Sequence, residues 1–116
     1  MAVCGGGTIL TSSNGTGWTN RTSGTTKNLF GVTYGNSTWV TNGDNGTILT
    51  SSDATTWTSR TLGTTDKLYG IAYGNSTFVT VGGSGKIFTS SNGTTWTSRT
   101  SDLSYHINLM DVAYKE

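Results

Sequence analysis

The chain of 116 residues sets seven Lys and Arg against six Asp and Glu, with 11% charged and 32% hydrophobic residues. A net charge of +1 leaves no electrostatic footprint for nucleic acid or an anionic membrane, and so low a charge excludes disorder of the highly charged kind. Seventeen Gly, no Pro and an excess of Thr, Ser and Asn point instead to short strands joined by tight turns within one small domain.

In chain order, residues 1–3 (MAV) read as the end of a strand, since they align with residues 79–81 (VTV). A unit then begins at Gly7 (GTILTSSNGTGW) and returns at Gly46 (GTILTSSDATTW) and Gly85 (GKIFTSSNGTTW), a period of 39 residues. The rest of the unit recurs with it: NLFGVTYGNSTWV from Asn28 becomes KLYGIAYGNSTFV from Lys67, and a third copy starts as NLMDVAYKE from Asn108. The complete middle unit predicts four strands. These are residues 68–73 (LYGIAY), closed by a Gly74-Asn75 turn, and 77–81 (TFVTV), closed by Gly82-Gly83-Ser84-Gly85. Residues 86–89 (KIFT), followed by SSNGT, and 95–99 (TWTSR) complete it. Helical periodicity is absent. Four antiparallel strands in about 40 residues match one blade of a β-propeller.

The phase of the repeat gives an all-β chain with three blades' worth of strands. The first blade lacks its innermost strand, and residues 108–114 form an innermost strand with no blade after it. Three blades are too few for a ring, which typically holds about four to eight. The expectation is a head-to-tail homodimer forming one six-bladed propeller. Its shared blade would combine residues 1–21 of one copy with 108–114 of the other. A tandem fragment of a longer parent protein is the rival explanation.

The third turn of each unit carries a signature: SSNGTGW from Ser12, SSDATTW from Ser51 and SSNGTTW from Ser90. It resembles the Asp-box, Ser-x-Asp-x-Gly-x-x-Trp, of bacterial neuraminidase repeats and of photosystem assembly-factor propellers. Asn14 and Asn92 stand where that motif has Asp, Asp53 keeps it, and Ala54 stands in place of Gly15 and Gly93. The resemblance implies a structural role: the Asx side chain bonds turn amides, and Trp18, Trp57 and Trp96 cover the hydrophobic layer between blades.

Function is less legible. The links between units (residues 22–28, 61–67 and 100–108) share one end of the fold with the second-to-third turns. The last link is two residues longer and brings Asp102, Tyr105 and His106, the single histidine. These are candidates for a ligand, or for packing at the subunit junction. Asp111 replaces Gly31 and Gly70 near the channel. Sialidase chemistry needs arginines converging on a carboxylate, whereas Arg21, Arg60 and Arg99 occupy one equivalent position and are spread apart by symmetry. Ligand clusters for a metal, glycosidase carboxylate pairs and cofactor motifs are absent, so no enzyme, metal or cofactor is expected. Cys4 reads as a small hydrophobe in a strand or as an exposed thiol. No signal peptide and no membrane span are evident. Six Asn-x-Ser/Thr sequons follow from composition and turn chemistry. Two functions remain: a scaffold or protein-interaction propeller, and a carbohydrate-binding module similar in design to small propeller lectins. In the second, Trp39 (matched by Phe78), Tyr34, Tyr73, Tyr114 and the three arginines are candidate sugar contacts.

Overall fold

A computed structural model of the protein describes residues 1–60 and 62–99. Among them, eleven strands form three antiparallel sheets in which sequential strands are always neighbours. The first sheet holds β1 (Ala2–Val3), β2 (Ile9–Thr11) and β3 (Thr19–Arg21). The second holds β4 (Leu29–Gly35), β5 (Thr38–Gly43), β6 (Ile48–Ser51) and β7 (Thr58–Arg60). The third repeats it with β8 (Leu68–Gly74), β9 (Thr77–Gly82), β10 (Ile87–Ser90) and β11 (Thr97–Arg99). The first sheet thus lacks the counterpart of β4 and β8, as the repeat phase requires. Residues 108–114, expected to supply such a strand, lie outside the described residues.

Local chemistry explains where the strands end. Gly35 pairs with Thr38 and Gly74 with Thr77, which leaves Asn36-Ser37 and Asn75-Ser76 as turn centres, one residue later than expected. All four have positive φ between 48° and 58°. That conformation belongs to the turn whose twist matches flanking strands, and Asn tolerates it best among residues with a side chain. The last strand of the third sheet starts at Thr97 rather than Thr95, because the Thr95 amide donates to Asn92 Oδ1 (3.0 Å) instead of to a strand. Single tight turns at Gly5–Gly7, Asp44–Gly46 and Gly83–Gly85 join β1 to β2, β5 to β6 and β9 to β10. Cys4, at the mouth of the first of these, is exposed and outside any strand, so it is not a buried hydrophobe.

The first strands of the two four-stranded sheets, β4 and β8, each carry a bulge, where the register shifts between Leu29 and Gly31 and between Leu68 and Gly70. A threonine from the neighbouring strand binds the displaced carbonyl in both: Thr41 Oγ1 donates to Gly31 O (2.7 Å) and Thr80 Oγ1 to Gly70 O (2.9 Å). The core lies between sheets rather than within them. Ile9, Leu29 and Leu49 fill the seam between the first and second sheets, with Met1, Val3 and Trp57 packed around them. Val40, Ile48, Leu68, Ile71, Phe78 and Phe88 fill the next seam, with Leu62, Tyr73 and Trp96. Successive residues Ile48 and Leu49 are both buried, in different seams, so the second sheet is covered on both faces. Each such side chain contributes about 1.5–3 kcal/mol by leaving water.

One polar residue interrupts this layer. Asn42 stands where the other units have Val3 and Val81, and it is fully buried. Its Nδ2 crosses the seam to donate to Gly70 O and Thr80 Oγ1, both at 2.9 Å. Its Oδ1 has no partner in the protein. Thr80 Oγ1 also donates to Gly70 O, so removing the amide leaves neither group stranded. Asn42→Val should therefore stabilise the protein by about 1 kcal/mol, since an unpaired buried acceptor costs more than such a bond returns. Thermal unfolding should show the midpoint rising by a few degrees; a fall would mean that the two amide bonds outweigh the orphaned oxygen.

Candidate functional site

The Ser-x-Asx turns are the best-defined polar groups of the fold. In the first, Ser12 Oγ accepts from Asn14 N (3.2 Å) and Gly15 N (2.8 Å), while Asn14 Oδ1 accepts from Thr16 N (2.9 Å) and Gly17 N (3.0 Å). Ser51 with Asp53 and Ser90 with Asn92 repeat the pattern. Every accepting oxygen is thus occupied by the turn's own amides, which fits a structural role. Asp53 also accepts from Ser51 Oγ (3.0 Å), and its carboxyl is held below the ordinary carboxylate value, chiefly by the Thr56 and Thr55 amides and then by Ser51.

The three tryptophans after these turns share a sequence position and differ in surroundings. Trp96 packs into the seam between the second and third sheets and donates from Nε1 to Gly93 O (2.9 Å). Trp57 packs into the seam between the first and second, but its buried Nε1 has no partner. The difference falls at Ala54, which holds φ of +64° where Gly93 and Gly15 are unhindered. Trp18 bonds Gly15 O (3.2 Å) yet is 46% exposed. The expectation that all three are core is corrected here. Each tryptophan covers the sheet that precedes its own, and among the described residues no sheet precedes the first.

The arginines hold one equivalent place each, on the outermost strand of each sheet. Arg21, Arg60 and Arg99 donate from Nε to Thr11, Thr50 and Thr89 Oγ1 at 2.9, 3.0 and 2.9 Å. They do not converge. Arg21 lines a polar groove of ≈ 320 Å³ between the first and second sheets, beside Thr11, Thr19, Asp53 and Thr55. Arg60 lines a larger hollow of ≈ 620 Å³ with Asn45 and the link residues Leu62, Gly63 and Thr64. Arg99 lines a third groove beside Thr77, Thr89 and Ser90. None of these hollows is lined by a tryptophan, so no arginine shares one with an aromatic platform.

Trp39 is half-buried and packs tilted against Tyr34, ring centres 4.7 Å apart, while Phe78 and Tyr73 repeat the pair at 4.6 Å. Tyr73 also lies over Gly35, where a Cβ would meet its ring at 2.1 Å. It is therefore a packing residue of the seam. Sequence reasoning missed a further aromatic pair, Phe30 with Tyr69 (5.5 Å), at the two bulges on β4 and β8. Its signal was a lapse in alternation, LFGV and LYGI, where a bulge turns one residue aside. Asp102, Tyr105, His106 and Asp111, and Tyr114 with them, lie outside the described residues. Among the described residues no group of three His, Cys, Asp or Glu is placed to hold a metal, and no helix is long and apolar enough to cross a membrane. No protein-family model, curated protein or solved structure matches the chain.

Two variants test the turns. Because the Asp53 carboxyl titrates below its unfolded value, its contribution is present above the ordinary carboxylate pKa and is lost as pH falls through the folded value. Asp53→Asn keeps the acceptor, as Asn14 and Asn92 do, so urea midpoints from pH 6 down to pH 3 should fall less steeply than in the parent. Ala54→Gly should raise stability by about 1 kcal/mol, because it removes left-handed strain that only glycine escapes. A lowered urea midpoint for this variant would show that Ala54 is unstrained.

Proposed function

We propose that this chain is a self-assembling β-propeller scaffold or protein-interaction module without catalytic activity, completed as a six-bladed ring by two copies joined head to tail. The exposure of Trp18 carries the reading. Its equivalents Trp57 and Trp96 each pack on the preceding sheet, and Trp18 offers the same side chain with no preceding sheet among the described residues. Leu10 beside it is half-buried, whereas its equivalents Leu49 and Phe88 are buried. At the other end of the arc, Val79 and Ile87 are half-buried, whereas Val40 and Ile48, one unit earlier, are fully buried. The two end faces are therefore the two halves of the seam already formed twice inside the chain. Joining them buries Trp18 against Val79 and Ile87, and a strand of the β4 and β8 type, as residues 108–114 read, completes the first sheet.

Such a seam is apolar at its centre and polar at its rim, the usual anatomy of a stable interface. Sedimentation should therefore give a species of two copies, twice the 12.2 kDa of one chain, with Trp18 fluorescence blue-shifted relative to a dilute sample. Trp18→Asp should dissociate it. A single 12.2 kDa species at all concentrations would overturn the reading.

The polar groove beside Arg21 favours a second reading, a carbohydrate-binding module with sites between blades. Its guanidinium is oriented by Thr11 and stands among Thr19, Asp53 and Thr55, groups suited to sugar hydroxyls. The groove has no aromatic wall, which makes it the weaker reading. Binding on a glycan array, lost in Arg21→Ala, would favour it; silence across the array would favour the scaffold.

A further inference from the structure

The two complete sheets share a close approach that the first sheet cannot repeat. At Gly43, where β5 leaves its sheet, a Cβ would lie 2.1 Å from the carbonyl oxygen of Asn28, at the start of β4. At Gly82, which ends β9, a Cβ would lie 2.1 Å from Lys67 O, at the start of β8. Real Cβ atoms do not approach so near, and backbone cannot swing aside as a flexible side chain does. Both glycines are extended, with φ of −171° and −164°, so absence of the Cβ matters here rather than conformational freedom. The equivalent residue after β1 is Cys4, whose backbone is the same, φ −159° and ψ −167°. Its Cβ stands where the carbonyl that begins an innermost strand must come.

We infer that Cys4 makes the shared blade the loosest seam of the ring. The innermost strand supplied by a second copy enters displaced from β1 at its start, and position 4 sets how tightly the two copies hold each other. This rests on the dimeric ring proposed above. Two features of the sequence agree with it. The link before residues 108–114 is two residues longer than the others. Lys115 stands where Gly35 and Gly74 do, and at Gly35 a Cβ would meet the Tyr73 ring of the neighbouring strand at 2.1 Å. Two of the approaches that depend on glycine inside the chain are thus replaced at the junction between copies.

Sedimentation of the full chain over a range of concentrations, with the thiol kept reduced, tests the inference in three proteins. Cys4→Gly restores the residue found at Gly43 and Gly82 and should lower the dissociation constant about tenfold or more, since relieving a backbone clash returns over a kcal/mol. Cys4→Ser keeps a Cβ of the same position and should leave the constant within about threefold of the parent, well below that tenfold step. An unchanged or weaker dimer in Cys4→Gly overturns the inference, as does equal tightening in Cys4→Ser, which would point to the thiol rather than the Cβ. The parent protein alone decides the underlying reading: if it never dimerises, the ring itself fails, an outcome separate from a dimer indifferent to position 4.

Discussion

Everything in this fold depends on one constraint: a sheet made of so few apolar residues can bury them only against another sheet. No sheet here has a core of its own. Ile9, Leu29 and Leu49 come from two sheets, as do Val40, Ile48, Leu68 and Phe78, and a tryptophan from the later sheet closes each seam. The polar remainder of each unit is absorbed locally. Threonine hydroxyls bind the bulge carbonyls and orient the arginines, and Ser-x-Asx turns bind their own amides. A chain with 32% hydrophobic residues is stable in this arrangement because its polar groups seldom compete for the seams.

The exception is informative. Asn42 brings an amide into the seam and satisfies half of it, leaving an oxygen enclosed without a partner. Trp57 leaves its indole nitrogen in the same state, in the turn where Ala54 stands in place of Gly15 and Gly93. Both departures occur in the second sheet, which borders both seams. The same logic underlies the proposal for Cys4: in the proposed ring, a departure at an unflanked edge would be felt between copies rather than within one.

Much of this could be read from the sequence, because a repeat states its rule several times. The strand sequence, the missing first strand and the Asx hydrogen bonds all follow from comparing three copies of one phrase. What stayed hidden was set by neighbours rather than by the unit. Trp18 has nearly the local sequence of Trp96, with Gly17 in place of Thr95, and it is exposed where no sheet precedes its own among the described residues. Phe30 and Tyr69 lie at the bulges, whose register shift shows in the sequence only as the lapse in alternation of LFGV and LYGI. The glycines at Gly43 and Gly82 looked like ordinary turn residues; the need for them lies in a carbonyl contributed by a strand fifteen positions earlier. Function was least legible, because the least repetitive residues, Asp102 to Asp111, are those the repeat cannot explain.

The arrangement of sheets also governs how the molecule opens. Each sheet touches only the one before and the one after, so its stability is a sum of nearest-neighbour terms, as in a linear array. The middle sheet draws on two seams, and each outer sheet on one. Fraying therefore proceeds from the ends of the arc inward, and the amides of β5 and β6 exchange with solvent last. In a closed ring there are no ends from which to fray. Closure of the proposed ring would convert three graded local openings into one cooperative event, with the seam between copies as the latch for the whole structure.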